Sequence, residues 1–303
     1  MLRQGFLTLS QSKGLRDFAV ANPLARKVAR RFVAGEQLDE AVRVIADLNR
    51  RGMFATFDLL GENVNTREDA DATADAYLAL LDAIERNKLK SNVSLKLTAM
   101  GLDLGESIAV DNLRRILDRA RQYGKFVRID MEGSEYTDVT LAIFRRLWQD
   151  YQNVGVVLQA YLYRTPQDVD EMIRMKVRVR LCKGAYNEPP SVAFPEKKDT
   201  DLQYARLMCK LIEQGNYPGI ATHDVRLINL AKRFVAQKGI PANRFEFQML
   251  YGIRTGLQQQ LADDGYHMRV YVPYGEQWYP YFMRRLAERP ANLIFILSNL
   301  FRK

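Results

Sequence analysis

Short runs of apolar and β-branched residues recur along the chain, and between them lie longer stretches whose apolar side chains fall three and four positions apart. The runs at 53–59, 93–97, 126–131, 155–159, 177–182, 219–222, 245–249 and 268–272 are four to seven residues long, as strands buried in a parallel sheet are. The stretches at 66–86, 108–123, 137–151, 199–213 and 225–237 have the spacing of helices that pack by one face. Parallel strands need a long crossover, and a helix supplies it, so strand–helix alternation predicts an α/β fold. Eight such units predict a closed (βα)8 barrel of the TIM type. Extra helices are expected before the first strand, 38–48 among them, and one more after the last. An open doubly wound sheet is the alternative, but neither G-x-G-x-x-G nor G-x-x-x-x-G-K-[ST] occurs in the chain.

No Pro/Gly/Ser-rich linker interrupts the pattern. Residues 1–50 therefore read as a helical extension packed on a catalytic barrel spanning 51–303, one domain overall. The loop richest in proline, NEPPSVAFP at 187–195, follows the fifth strand and reads as an active-site loop.

Composition narrows the function classes. Of the 303 residues, 47% are hydrophobic and 27% charged, a balance that excludes a largely disordered chain. No apolar run reaches the ~18 residues of a membrane span, and the N-terminus lacks a signal-peptide pattern, so the expected location is cytoplasmic. Cys182 and Cys209 suit a reducing compartment. With only His223 and His267 beside them, they do not supply a zinc site built mainly from His and Cys. Forty-five Lys+Arg against 36 Asp+Glu leave a charge of +9. The basic residues are dispersed, which speaks against a nucleic-acid tract but remains compatible with docking on an anionic membrane face.

Barrel enzymes place their chemistry at the C-terminal strand ends. Those positions carry Asp58, Lys96, Asp130, Gln159, Arg180, the Thr222–His223 pair, Gln248 and Tyr271. Any one of them is ordinary strand-end polarity; eight of eight predict a polar, charge-paired pocket. After the eighth strand, 279–288 reads as a helix with Arg284 and Arg285 adjacent and Glu288 one turn on. That pattern is either a solvated i, i+4 pair or two guanidiniums able to grip a carboxylate or phosphate. Lys183–Gly184–Ala185 forms a turn whose backbone can approach an anion, Asp224 suits a helix N-cap, and Cys182 reads as packing. Two other functions stay open on these residues. One is a Schiff-base aldolase using Lys96 or Lys183; the other is a basic nucleic-acid-binding module.

The segments SLKLTAMG (94–101), IDMEGSE (129–135), VLQAYLYRTP (157–166), RLCKGAY (180–186), ATHD (221–224), FEFQMLYGIR (245–254) and RVYVPYGEQWYPYFMRRLAERPAN (269–292) together resemble proline dehydrogenase of the short, monofunctional bacterial type. The likeness runs from about residue 40 to the end, in the family's order and spacing.

The resemblance implies a distorted (βα)8 barrel with non-covalent FAD at its C-terminal rim. The implied reaction is oxidation of L-proline to Δ1-pyrroline-5-carboxylate, with a membrane quinone as electron acceptor. It assigns Lys96, Arg284 and Arg285 to the proline carboxylate. Tyr271 would pack on the ring, and Tyr186, Leu250 and Tyr281 would close the pocket. Arg180 would sit near the flavin N5, Asp130 would orient the basic cluster around substrate and flavin, and Glu288 would steer Arg284 and Arg285. Met131, Gln159, Lys183, Gly184, Ala185, Thr222 and His223 are implied FAD contacts. Asn187 stands where bifunctional members have a tryptophan, so that residue's flavin contact has no counterpart here. With 303 residues leaving no room for an aldehyde dehydrogenase module, the product is expected to pass to a separate pyrroline-5-carboxylate dehydrogenase.

Overall fold

A computed structural model describes residues 29–61 and 64–288, with side chains as far as Met283. Eight parallel strands close into a barrel in sequence order. They are β1 (Phe54–Leu59), β2 (Ser91–Leu95), β3 (Val127–Ile129), β4 (Val154–Gln159), β5 (Val179–Cys182), β6 (Gly219–Ala221), β7 (Glu246–Leu250) and β8 (His267–Tyr274). The barrel closes through β1 and β8, with Phe54 opposite Arg269 and Leu59 opposite Tyr274. Helix α1 (Leu38–Arg50) precedes β1 and packs against β1 and β8. The crossovers are α2 (Arg67–Arg86), α3 (Glu106–Gln122), α4 (Ser134–Trp148), α5 (Thr165–Arg174), α6 (Lys197–Gln214), α7 (Val225–Lys238) and α8 (Thr255–Asp263), and α9 (Trp278–Glu288) follows β8.

The helix limits have local causes. Thr66 caps α2 by accepting from the Asp69 amide at 3.1 Å, and Asp224 caps α7 through the Arg226 amide at 3.0 Å. Gly239, at φ 64°, ends α7 in the left-handed conformation that glycine adopts without strain. Helices α5 and α8 were not among the stretches the spacing singled out; each is short, at 10 and 9 residues. Expected strand ends shift as well. Lys96 and Thr222 lie just beyond β2 and β6, while β8 continues three residues past Tyr271.

The apolar core lies between the barrel and its helices. Val93, Val127, Val156, Leu181, Phe247 and Val270 are buried there in one continuous cluster. The barrel lumen is different. The alternate positions point inward and are polar, with Thr56, Asn92, Ser94, Arg128, Arg180, Glu246 and Gln248 all buried. TIM-type barrels usually fill this space with branched apolar side chains, and here hydrogen-bonded groups occupy it. Inward polarity is thus not confined to the strand ends, where the sequence reading had placed it.

Gly155 on β4 makes room for one of these groups. A Cβ there would stand 2.3 Å from the Arg178 carbonyl oxygen, 2.7 Å from the Phe126 ring and 3.1 Å from Arg128 Nη1. Gly155→Ala should therefore lower stability by about 1–3 kcal/mol through overpacking. Urea unfolding with an unchanged midpoint would contradict this account.

Candidate functional site

The centre of the C-terminal half of the lumen is Arg180 on β5. Its Nε donates to Gln248 Oε1 at 2.6 Å, and its Nη1 donates to Asp130 Oδ1 at 2.7 Å and to Ser94 Oγ at 3.2 Å. The guanidinium also lies over the Tyr271 ring, 5.0 Å from its centroid. Its Nη2 is buried and has no partner among the described residues. Asp130, just past β3, takes a second bond from Ser94 Oγ at 2.7 Å and a third from the Tyr271 hydroxyl at 2.7 Å. Burial first, and then the Asp130 charge, push the Tyr271 hydroxyl well above its ordinary pKa, so it stays a donor. Both Asp130 oxygens are thereby engaged. The cluster holds charge and shape and offers no vacant base.

A second group lines the same end. Gln159, buried at the end of β4, donates its amide to the carbonyls of Met131 and Glu132 at 3.4 and 3.1 Å. Its Oε1 is buried without a partner among the described residues. Lys183, past β5, pairs with Asp201 and, at 3.5 Å, with Asp224. Gly184 has φ +109°, and a Cβ there would lie 2.4 Å from the Tyr161 ring, so another residue would meet both strain and a clash. Ala185 follows on the exposed side. Buried Thr222 accepts from the Asp224 amide at 3.1 Å. His223 Nε2 accepts from the Leu250 amide at 3.0 Å, which assigns the ring proton to Nδ1 in the neutral form.

The remaining expected residues are less concentrated. Lys96 and Leu250 are half-buried at the ends of β2 and β7. Tyr186 is 39% exposed on the loop after β5, so this structure does not pack it into the lumen. Tyr281 is buried on α9 in a small cluster with Phe32, Val33 and Trp278. Arg284, Arg285 and Glu288 belong to α9, but their side chains lie outside the described residues. Cys182 donates to the Leu158 carbonyl at 3.6 Å, and burial pushes its thiol up to about 12. It is a packing residue, as its place in the strand suggested.

Several contributors escaped the sequence reading. Ser94 joins Asp130 to Arg180, and its position two residues before Lys96 on an inward face was the available signal. Glu188 accepts from the Ser134 amide at 2.8 Å, from the Ser134 hydroxyl, and from the Tyr161 hydroxyl at 3.2 Å. These bonds tie the loop after β5 to the start of α4. The loop is also stitched to the segment after β4, where Leu162 bridges Ala193 and the Phe194 amide donates to the Tyr161 carbonyl at 2.8 Å. A carboxylate in a loop carries no periodic signal, so only the tertiary contact identifies it.

A family model described as Proline dehydrogenase matches residues 41–297. Proline dehydrogenase 1 of Bacillus subtilis (strain 168) is 48% identical over 303 residues, 100% of both chains. Proline dehydrogenase of Deinococcus radiodurans is 41% identical over 305 residues, covering 99% of this chain and 98% of that one. Among solved structures, proline utilization A from Bdellovibrio bacteriovorus, inactivated by N-propargylglycine, aligns with a TM-score of 0.82 at 27% identity. The alignment covers 91% of this chain and 34% of that longer protein.

Asp130→Asn keeps the shape of the cluster and removes the charge that balances buried Arg180. It should cost about 3–5 kcal/mol, whereas Tyr271→Phe, which removes one bond to a charged group, should cost about 1.5–3 kcal/mol. Denaturant unfolding of both variants measures the two costs, and the reverse ranking would refute the assignment of Asp130 as the charge partner.

Proposed function

The chain belongs to the proline dehydrogenase family, and we propose that it oxidises L-proline to Δ1-pyrroline-5-carboxylate with FAD held non-covalently at the C-terminal mouth of the barrel. The observation that carries the reading is the Arg180 guanidinium, fixed by three hydrogen bonds from Nε and Nη1, with its buried Nη2 unpartnered among the described residues. It stands in a chain that aligns end to end with curated proline dehydrogenases.

The residues present fit a flavin. Arg180 Nη2 is a buried donor and Gln159 Oε1 a buried acceptor, both without partners among the described residues. They match the mixed donor and acceptor edge of an isoalloxazine. Met131, Lys183, Gly184, Ala185, Thr222 and His223 complete the set we assign to the cofactor. When bound, FAD supplies the acceptor for the hydride that leaves carbon 5 of proline.

The protein's own task is then mainly positioning. Proline carries one carboxylate and a compact ring, and holding it in a reactive pose can account for ~7–11 kcal/mol of the barrier. We assign the carboxylate to Lys96, Arg284 and Arg285, and the ring wall to Tyr271, Leu250, Tyr281 and Tyr186. Tyr271 is suited to that role because its hydroxyl is anchored on Asp130 and its ring is braced by Arg180. Asp130 orients Arg180 and balances its charge, which a buried cation needs. Arg180 presents the remaining donor toward the reacting centre, where a fixed positive group stabilises an electron-rich product.

The aldolase alternative is weaker. The Lys183 amine is committed to Asp201 and Asp224, and that reading leaves Gln159 and the C-terminal aromatic–arginine segment unused. For the oxidant of the reduced enzyme we propose a membrane quinone. Among the described residues no helix is long and apolar enough to cross a membrane. The +9 surplus favours peripheral docking on anionic lipid, at ~1 kcal/mol for each basic residue close to the surface.

Purified protein should show flavin absorbance near ~450 nm that bleaches on anaerobic addition of L-proline. A colourless protein that FAD does not reconstitute would overturn the reading, and a yellow protein that proline leaves unbleached would overturn the substrate. Arg180→Lys keeps a cation beside Asp130 and removes the spare donor. In single-turnover experiments it should slow flavin reduction by roughly 10²–10³-fold with a smaller change in proline affinity. An unaltered rate would remove Arg180 from the reacting centre.

A further inference from the structure

The opposite end of the barrel holds a cavity of about 430 Å³ lined by residues other than those assigned to the site above. Its walls come from the segments that lead into β2, β3, β5 and β6 and from the first residues of β1, β7 and β8. They include Lys88, Lys90, Lys125, Arg128, Arg178 and Arg269. Glu246 is the acidic residue in that lining, and it is bonded to Arg269 at 2.7 Å. Lys88 and Lys125 share Glu85 at the edge.

Among the described residues no salt bridge reaches Lys90, Arg128 or Arg178. Arg128 is the telling member. It is 2% exposed, and its Nη1 donates only to the backbone carbonyls of Val156 and Arg178, at 3.0 and 2.5 Å. Its Nε is buried with no hydrogen-bond partner among the described residues. Burial first, and then repulsion from Arg180 and Arg269, outweigh the attraction of the Glu246 and Asp130 carboxylates and pull its pKa well below the ordinary arginine value. A buried guanidinium with no salt bridge among the described residues, sharing the field of Glu246 with Arg269 on the wall of a basic cavity, favours a further anion there.

Arg178 is already braced for such a role, with its guanidinium 5.3 Å from the Phe126 ring centroid and 5.5 Å from that of Tyr217. Cations converging from three separate segments suit the spread oxygens of a tetrahedral group better than one planar carboxylate, which a single fork would satisfy. We propose that the N-terminal mouth of the barrel is a binding site for a small phosphate-bearing anion, distinct from the active site.

The probe is inorganic pyrophosphate, titrated calorimetrically into the purified holoprotein at an ionic strength fixed with KCl. One saturable site is expected. Lys90→Glu and Arg178→Glu, both at exposed positions, should each weaken binding roughly tenfold or more while proline oxidation stays unchanged. Sedimentation with phosphatidylglycerol vesicles separates the two sources of phosphate. Vesicle binding that pyrophosphate displaces assigns the site to a lipid headgroup, and pyrophosphate binding that vesicles do not affect assigns it to a free solute. No saturable binding of either probe, or equal binding by both charge-reversed variants and the parent, overturns the proposal.

Discussion

A charge placed inside a barrel must be balanced where it stands, and the Arg180–Asp130 pair does this at 2.7 Å. The surrounding arrangement follows from that requirement. Asp130 needs further donors, and Ser94 and Tyr271 provide them. The guanidinium needs acceptors on its other edge, and Gln248 provides one. Breaking one partner would leave the other charged in a poorly solvated space, which costs far more than a surface pair contributes. Strands β2, β5, β7 and β8 and the segment just past β3 are thereby locked at the end of the barrel where the chemistry is assigned.

The same logic continues down the lumen. Gln248 Nε2 donates to Glu246 Oε1 at 2.5 Å, Arg269 Nε donates to the same oxygen at 2.7 Å, and Arg269 Nη1 reaches Asn92 Oδ1 at 3.3 Å. Thr56 Oγ1 closes the chain on Asn92 at 2.5 Å. Arg269 keeps the Glu246 carboxyl below its ordinary value even though burial alone would raise it. A continuous polar network therefore runs from one mouth to the other. The apolar layer between strands and helices supplies the bulk of the burial, while this network specifies which inward side chain stands where.

The loop after β5 illustrates how the mouth is shaped without regular structure. Glu188 anchors on Ser134 and Tyr161, and Gly184 permits the backbone to pass against the Tyr161 ring. Residues from β4, β5 and α4 are thus held as one unit around Gln159 and Lys183. The sequence marked this loop by its prolines but carried no sign of what it would bind to.

Periodicity, with the missing phosphate-binding fingerprints, determined the architecture. Alternating short strands and amphipathic helices admit few packings, and the absence of a dinucleotide fingerprint favoured the closed barrel over the open sheet. Asp130, Arg180, Gln159 and Tyr271 were also legible, because polar residues interrupting apolar strands stand out against their neighbours. Tertiary structure decided the rest. Ser94 meets Asp130 and Arg180, Glu188 meets Ser134, and Arg269 meets Glu246 and Asn92 across 23 to 177 residues of sequence, and no local pattern records such distances. Whether a polar side chain on a strand faces solvent, a helix or the lumen depends on the closure of the barrel. The charge balance that makes Arg180 tolerable, and that sets Arg128 and Arg269 around the Glu246 carboxylate, exists only once the eight strands are joined.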